Sequence, residues 1–280
     1  MTPRSYLVVP ADRPERFAKA LSSGADAVIV DLEDAVTPDA KASARAALSR
    51  WLAGAAASAP RVPLFVRINP PGTDWFDADL ALCGRSTAVS GVMLPKAERV
   101  ADLEAVQRAA PGRPLIPLIE TAEGFDHLRA LAGAAGVQRL AFGSIDFQLD
   151  LGIQAGDGSD GTALLFFRLQ LVLASRLAWL LPPIDGVTTA LDDDAPVVRD
   201  AQAARQLGFG AKLCIHPRQV AAVNTGFMPS DAELDWARRV VEAVSHSGGA
   251  AVAVDGKMVD KPVLLRARAV LGSAAGAQVK

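Results

Sequence analysis

Eight short runs rich in valine, isoleucine and leucine recur along the chain: SYLVVP at 5–10, AVIVDLEDA at 27–35, PLFVRIN at 63–69, GVMLPK at 91–96, PLIPLIET at 114–121, RLAFGS at 139–144, IDGVTTA at 184–190 and AKLCIHP at 211–217. They are apolar at successive positions rather than alternating, as strands of a parallel sheet covered on both faces are. Between them run alanine-rich segments of helical period, such as PERFAKALSSG, VADLEAVQRAA and APVVRDAQAARQLG. Alanine and arginine favour helix, and Gly24 and Gly208 fall where a helix should stop. Strands alternating with helices imply βαβ units, and eight of them in about 215 residues predict an α/β fold, a closed (β/α)8 TIM barrel. The barrel is expected over residues 1–220, with 221–280 as a C-terminal helical extension.

Composition narrows the role. The chain has 280 residues, half of them hydrophobic, and its 29 basic and 31 acidic residues are interspersed. With no basic face or tail, nucleic-acid binding is excluded as its main business. Cys83 and Cys214 make neither a disulfide framework nor a zinc spacing, and fit reduced thiols in a cytoplasmic protein, with Cys214 packed in the core. The apolar run near the N-terminus is too short for a signal-peptide core, so no export is expected. The most apolar segment, 162–181, carries Arg168, Gln170 and Arg176, which argues for a largely buried helix and against a membrane span. No Gly-rich dinucleotide fingerprint follows the first strand, and no phosphate-binding loop ends in Gly-Lys-Ser/Thr.

In this fold the active site lies at the C-terminal ends of the strands. Those ends carry Asp31, Glu33 and Asp34 on strand two, Arg67 and Asn69 on strand three, and Lys96 on strand four. Strand five ends at Glu120, strand six at Ser144 and Asp146, strand eight at His216. Glu120 and Asp146 end neighbouring strands. Such a pair can share a cation, and hard oxygen ligands without a His or Cys cluster favour Mg²⁺, or Mn²⁺. Metal binding is the favoured reading for this face, the other being structural closure with each acid ion-paired to Arg67 or Lys96. The fork of Arg67 suits a substrate carboxylate or a developing enolate oxygen, or else an ion pair with Glu33 or Asp34. His216 reads either as an acyl-chain contact or as a rim hydrogen bond, and His127 as a surface residue. The Gly- and Asp-rich stretch 147–161 lacks the spaced Glu of a calcium loop and is expected to lie over the active site.

The segments ADRPERFAKA, VDLEDAV, FVRIN, MLPKAE, LIETAEG, FGSIDF, CIHPRQV and VDGKMVDKPVLLRA occur in that order from the first strand to near the C-terminus. Together they resemble the HpcH/HpaI aldolase and citrate lyase β-subunit superfamily, in particular its CoA-ester lyase branch. The resemblance implies a Mg²⁺-dependent barrel (Mn²⁺ able to substitute) that cleaves or forms a carbon–carbon bond in a β-hydroxyacyl-CoA of the malyl-, citramalyl- or citryl-CoA type, through a metal-stabilised enolate. It implies Glu120 and Asp146 as metal ligands, Arg67 on the keto-acid or enolate oxygens, and Glu33 or Asp34 in the outer shell. Lys96 and His216 join that substrate-facing group. Arg13, Arg16 and Lys19 would approach the CoA phosphates, their other reading being a solvated helix face. Asp260, in GKMVDKP, would donate a proton in a neighbouring subunit's site, which requires a homo-oligomer, a trimer or hexamer; its other reading is a helix cap. An acyl-carrier protein in place of free CoA fits the same resemblance, and neither nucleic acid nor membrane is an expected partner.

One departure stands out: many lyases of this group carry an acid just before the metal-binding Asp, and here Ile145 occupies that position. Three further readings stay open, namely a CoA-independent pyruvate-type aldolase, an acyl-CoA thioesterase and a non-catalytic CoA-ester-binding barrel.

Overall fold

The computed structural model describes residues 2–54, 62–154, 162–246 and 252–275. Eight parallel strands close into a barrel in sequence order: β1 (Ser5–Pro10), β2 (Ala27–Asp31), β3 (Leu64–Arg67), β4 (Gly91–Leu94), β5 (Leu115–Ile119), β6 (Ala141–Phe142), β7 (Ile184–Asp185) and β8 (Ala211–Cys214). Closure is made by β1 on β8, with Ser5 opposite Lys212. The helices between them are α1 (Phe17–Leu21), α2 (Lys41–Ala53), α3 (Phe76–Arg85), α4 (Val100–Ala109), α5 (Ala122–Asp126), α6 (Leu128–Ala132), α7 (Ser144–Leu151), α8 (Thr162–Leu177) and α9 (Asp194–Leu207). Then come α10 (Gln219–Gly226), α11 (Asp231–His246), a hairpin of β9 (Val252–Val254) and β10 (Lys257–Val259), and α12 (Lys261–Ala275). The expected (β/α)8 barrel with C-terminal helices is therefore what forms.

Every second strand residue points inward. Tyr6, Ile29, Phe65, Met93, Ile116, Leu118, Ile184 and Leu213 fill the interior, while their strand neighbours pack against the helices. This double burial is why the strands read as unbroken apolar runs. Strands β6 and β7 are shorter than the runs that announced them. Gly143 turns the chain straight into α7, and β7 is hemmed between Pro183 and Gly186, since proline cannot donate to a ladder. Gly208, at φ 100°, caps α9 as its position suggested.

Helix α8 departs from the burial expected of it: Phe166, Leu169, Leu173 and Leu177 are exposed, and only Leu171, Ala174 and Ser175 are buried. Its Arg168 turns inward onto Asp185, with Nη2 2.9 Å from Oδ2. Among the described residues no helix is long and apolar enough to cross a membrane.

The chain divides into two compact units, one of residues 3–225 and one of residues 226–280 with the first two residues. The second unit adds a hairpin to the expected helices. Its turn is Asp255-Gly256, both at positive φ (56° and 72°), the pairing a two-residue hairpin loop favours.

Candidate active site at the barrel mouth

Strands β2 and β3 end in register, Asp31 opposite Arg67. Buried Asp31 takes the guanidinium as a fork, with Arg67 Nε donating to Oδ1 at 2.7 Å and Nη2 to Oδ2 at 2.6 Å. The Asp31 carboxylate also accepts the backbone N–H groups of Glu33 at 2.9 Å and Ala35 at 3.0 Å, which shapes the loop after β2. Lys41 pins the same loop from behind, donating to the carbonyls of Leu32 at 2.8 Å and Glu33 at 2.7 Å.

Glu33 is the hub. Its Oε1 accepts from Lys96 Nζ at 2.6 Å, and its Oε2 lies 3.1 Å from Arg67 Nη1. Burial raises its carboxyl above the ordinary value against the opposing pull of Arg67 and Lys96. Desolvation works against the charge on Arg67, yet Asp31 and Glu33 outweigh it and the guanidinium is held more firmly protonated than usual. Asp34 is largely exposed and reaches Arg67 only at 3.9 Å. Arg67 thus makes the acidic contacts that one sequence reading gave it, with Asp31 as its principal partner.

Glu120 follows β5 and is buried, 1 % exposed. Its Oε1 accepts the backbone N–H of Lys96 at 2.8 Å, while its Oε2 is buried and has no partner among the described residues. Burial pushes this carboxyl up to about 8, the Lys96 N–H opposing and the Glu33 charge adding to the rise. Gly143 backs directly onto it: a Cβ at 143 would stand 2.4 Å from Glu120 Oε2. Asp146 does not end strand six as expected. It lies three residues past Gly143, half-buried in the first turn of α7. The far end of α7 is tied to the same corner, since Asp150 Oδ2 accepts the N–H of Ala122 at 2.7 Å. Helix α7, which carries Asp146, is thus joined to the Glu120 corner through Gly143 and Asp150.

Neither Glu120 nor Asp146 is ion-paired to Arg67 or Lys96 in any contact the structure records. No group of three or more His, Cys, Asp or Glu side chains is arranged to hold a metal among the described residues. The unmet buried oxygen of Glu120 suits a hard cation that completes its shell with water and further oxygens.

The remaining candidates fall elsewhere. Arg16, Lys19 and His216 line one cavity of about 330 Å³ beside the end of β1. His216 lies in the turn after β8, its Nδ1 accepting the Arg218 N–H at 3.2 Å. Arg13 is outside that lining and pairs with Glu15 at 2.8 Å. Asp260 precedes α12 and its Oδ1 accepts the Val263 N–H at 3.1 Å, a helix cap. His127 is bonded at Nδ1 to the Glu98 carbonyl, and Cys214 is buried with its thiol pushed up to about 12 by desolvation. Of the stretch expected over the active site, Phe147–Leu151 is helical and 155–161 lies outside the described residues. Asp31 was placed at the mouth without a role, and Gly143 was missed as part of the site. An acid closing an all-apolar strand beside an arginine that closes its neighbour was the available signal for Asp31; nothing local marked Gly143.

The profile of the HpcH/HpaI aldolase/citrate lyase family matches residues 4–217. A citrate lyase subunit β-like protein of Deinococcus radiodurans is 36% identical over 277 residues, 96% of each chain. A (3S)-malyl-CoA thioesterase of Cereibacter sphaeroides is 34% identical over 284 residues, 97% of this chain and 94% of that one. The crystal structure of CitE from Mycobacterium tuberculosis in complex with magnesium, acetoacetate and coenzyme A superposes with a TM-score of 0.86 at 35% identity, covering 98% of both chains.

Proposed function

The chain belongs to the HpcH/HpaI aldolase/citrate lyase family, and from that premise we propose that it is a Mg²⁺-dependent carbon–carbon lyase acting on a β-hydroxyacyl-CoA of the malyl-, citramalyl- or citryl-CoA type. The observation that carries this reading is the buried Glu120 carboxylate, held by one oxygen and unmet at the other, with Asp146 one helical turn beyond the glycine packed on it. Glu120 and Asp146 would hold the ion, and a hard cation there supplies Lewis-acid polarisation of a substrate oxygen.

The other side chains have separable tasks. Arg67 is locked by Asp31 and Glu33, so it offers its remaining N–H groups as a fixed positive edge for the keto-acid oxygens. Lys96 holds Glu33 in place and keeps positive charge beside the reacting oxygens. In the cleavage direction a carboxylate at the mouth takes the β-hydroxyl proton and later passes it to solvent, the carbon–carbon bond breaks, and its electron pair passes to the thioester as an enolate. A proton donor then returns a proton to the thioester α-carbon, leaving an acyl-CoA and an α-keto acid or aldehyde. Asp260 of a neighbouring subunit, in a homotrimer or hexamer, is the donor in this reading. Arg16, Lys19 and His216 form the cavity for the CoA phosphates, while Arg13 contributes through its charge alone.

A second reading is hydrolysis of the same thioester, favoured by the name of the Cereibacter sphaeroides relative. Malyl-CoA with Mg²⁺ separates the two by product: acetyl-CoA with glyoxylate marks the lyase, malate with free CoA the thioesterase. Neither product pair from malyl-, citramalyl- or citryl-CoA, at full Mg²⁺ loading, would sink both and leave a CoA-ester-binding barrel.

A further inference from the structure

Helices α2 and α3 flank a groove of about 520 Å³ on the outside of the barrel, within the size range of small-molecule sites. Its room comes from short side chains: Ala42, Ala46 and Ala78 line it where longer residues would fill it. Its charge is one-sided. Arg45 and Arg85 line it with Ser49, Ser86 and Thr87, and among the described residues no carboxylate does. Asp79, which holds Arg45 from behind, is fully buried and accepts three hydrogen bonds. Its Oδ1 accepts from Arg45 Nε at 2.5 Å, and its Oδ2 accepts from Asn69 N at 2.9 Å and Asn69 Nδ2 at 2.6 Å. Arg45 is fixed through its Nε, with its buried Nη2 left without a partner among the described residues. Arg85 spends only its Nε, on the Ala81 carbonyl at 3.0 Å.

We infer that this groove is a second binding site, for a small oxyanion, phosphate or carboxylate, carried on a short apolar body. Two guanidiniums and the neighbouring hydroxyl side chains recognise the anion, and the alanine walls take the body. The site is also wired to the barrel mouth. The Asp79 carboxylate that fixes Arg45 fixes Asn69, two residues beyond Arg67, so an anion drawing on Arg45 is felt at the end of strand three. This makes the groove a place from which an anionic metabolite tunes the mouth without entering it. The inference does not depend on the lyase reading.

The test is titration of the metal-free full chain with phenyl phosphate, inorganic phosphate and benzyl alcohol, followed by calorimetry and amide NMR. Phenyl phosphate is expected to bind saturably, phosphate more weakly and the alcohol not at all. Arg85→Gln, an exposed change with little bearing on folding, should weaken phenyl phosphate about tenfold or more. Ala46→Leu leaves every charge in place, fills the groove and should abolish binding. The Asn69 amide should shift on binding. An Arg16→Gln/Lys19→Gln double variant, altered only at the cavity beside β1, should bind as wild type. Absence of saturation at millimolar phenyl phosphate overturns the inference. So does binding that ignores Arg85→Gln and Ala46→Leu, or that disappears in the Arg16/Lys19 variant.

Discussion

Lys96 donates its backbone N–H to Glu120 Oε1 at 2.8 Å from a left-handed backbone, φ 46°. Non-glycine residues seldom take that conformation, and β-branched ones resist it strongly. The strain aims the N–H at the carboxylate, so Glu120 is steadied on one oxygen and free on the other. Lys96→Gly keeps the N–H and relieves the strain, whereas Lys96→Val keeps the N–H but opposes the conformation. Lys96→Val is expected to weaken Mn²⁺ or Mg²⁺ affinity about 10–100-fold, the range for lost support of a metal ligand, with Lys96→Gly much closer to wild type. Calorimetric titration of both variants checks this, and equal losses would assign the effect to the missing ammonium on Glu33.

Gly143 makes a sharper steric prediction. Its φ of −88° is open to any residue, so Gly143→Ala strains no backbone. Its new methyl would instead stand 2.4 Å from Glu120 Oε2 and 2.5 Å from Glu120 Cβ. Forcing atoms into a packed site costs about 1–3 kcal/mol, and here the displaced group is the ligand itself. The variant should melt lower and bind metal at least about tenfold more weakly, since support of a ligand is worth that much. A crystal structure of the variant with Glu120 unmoved would contradict the account.

The carboxyl of Glu120 also sets a pH dependence. Burial first, then the neighbouring Glu33 charge, place it at about 8 in the folded chain against an ordinary 4.5. Its protonated form therefore favours the metal-free fold fully below 4.5, and that contribution is lost as pH rises through 8. Between those values the limiting slope is about 1.4 kcal/mol per pH unit. Comparing melting temperatures of metal-free wild type and Glu120→Gln from pH 5 to 8 isolates this group, and the wild type should lose stability relative to the variant as pH rises. A cation bound there must displace the proton, so Mg²⁺ affinity should climb over the same window and level off above it. Parallel melting curves would mean that Glu120 titrates normally.

Much of this was legible in the chain because the physics is local. A strand buried on both faces must be apolar throughout, so the eight runs announced the barrel, and polar residues at their ends marked the mouth. Where the reading slipped, the cause was three-dimensional. Asp146 was assigned to a strand end because FGSID continues an apolar run, yet Gly143 starts a helix there. Arg67 was offered Glu33 or Asp34 while its main partner Asp31 lies across the strand register, which only pairing reveals. The exposed leucines of α8 read as core because periodicity shows that a helix has an apolar face but not what covers it.

The pair Arg67–Asp31 predicts a different outcome from the metal ligands. Asp31 is buried and Arg67 half-buried, and each satisfies the other through a two-bond fork. Removing one partner strands the other, which costs about 3–5 kcal/mol. Arg67→Ala should therefore lower the denaturant midpoint steeply and abolish turnover. Arg67→Lys keeps the charge but loses the fork, and should retain most stability with activity still impaired. Urea titration beside product assays distinguishes them, and an Arg67→Ala chain as stable as wild type would deny the fork a structural role.

Asp260 supplies the last test. Its carboxylate caps α12, through the Val263 N–H at 3.1 Å, so loss of activity on mutation alone would not separate a cap from a proton donor. Mixing subunits does. If Asp260 completes a neighbour's site, Glu120→Gln and Asp260→Asn chains are each inactive, yet a co-refolded mixture contains sites that draw an intact Glu120 from one subunit and an intact Asp260 from the next. Random assembly of equal amounts into a closed ring should restore about one site in four. Activity near that level, with Asp260→Asn melting like wild type, fits a shared site. No recovery on mixing, with both variants folded and assembled, would place the donor within the same subunit or outside Asp260 altogether.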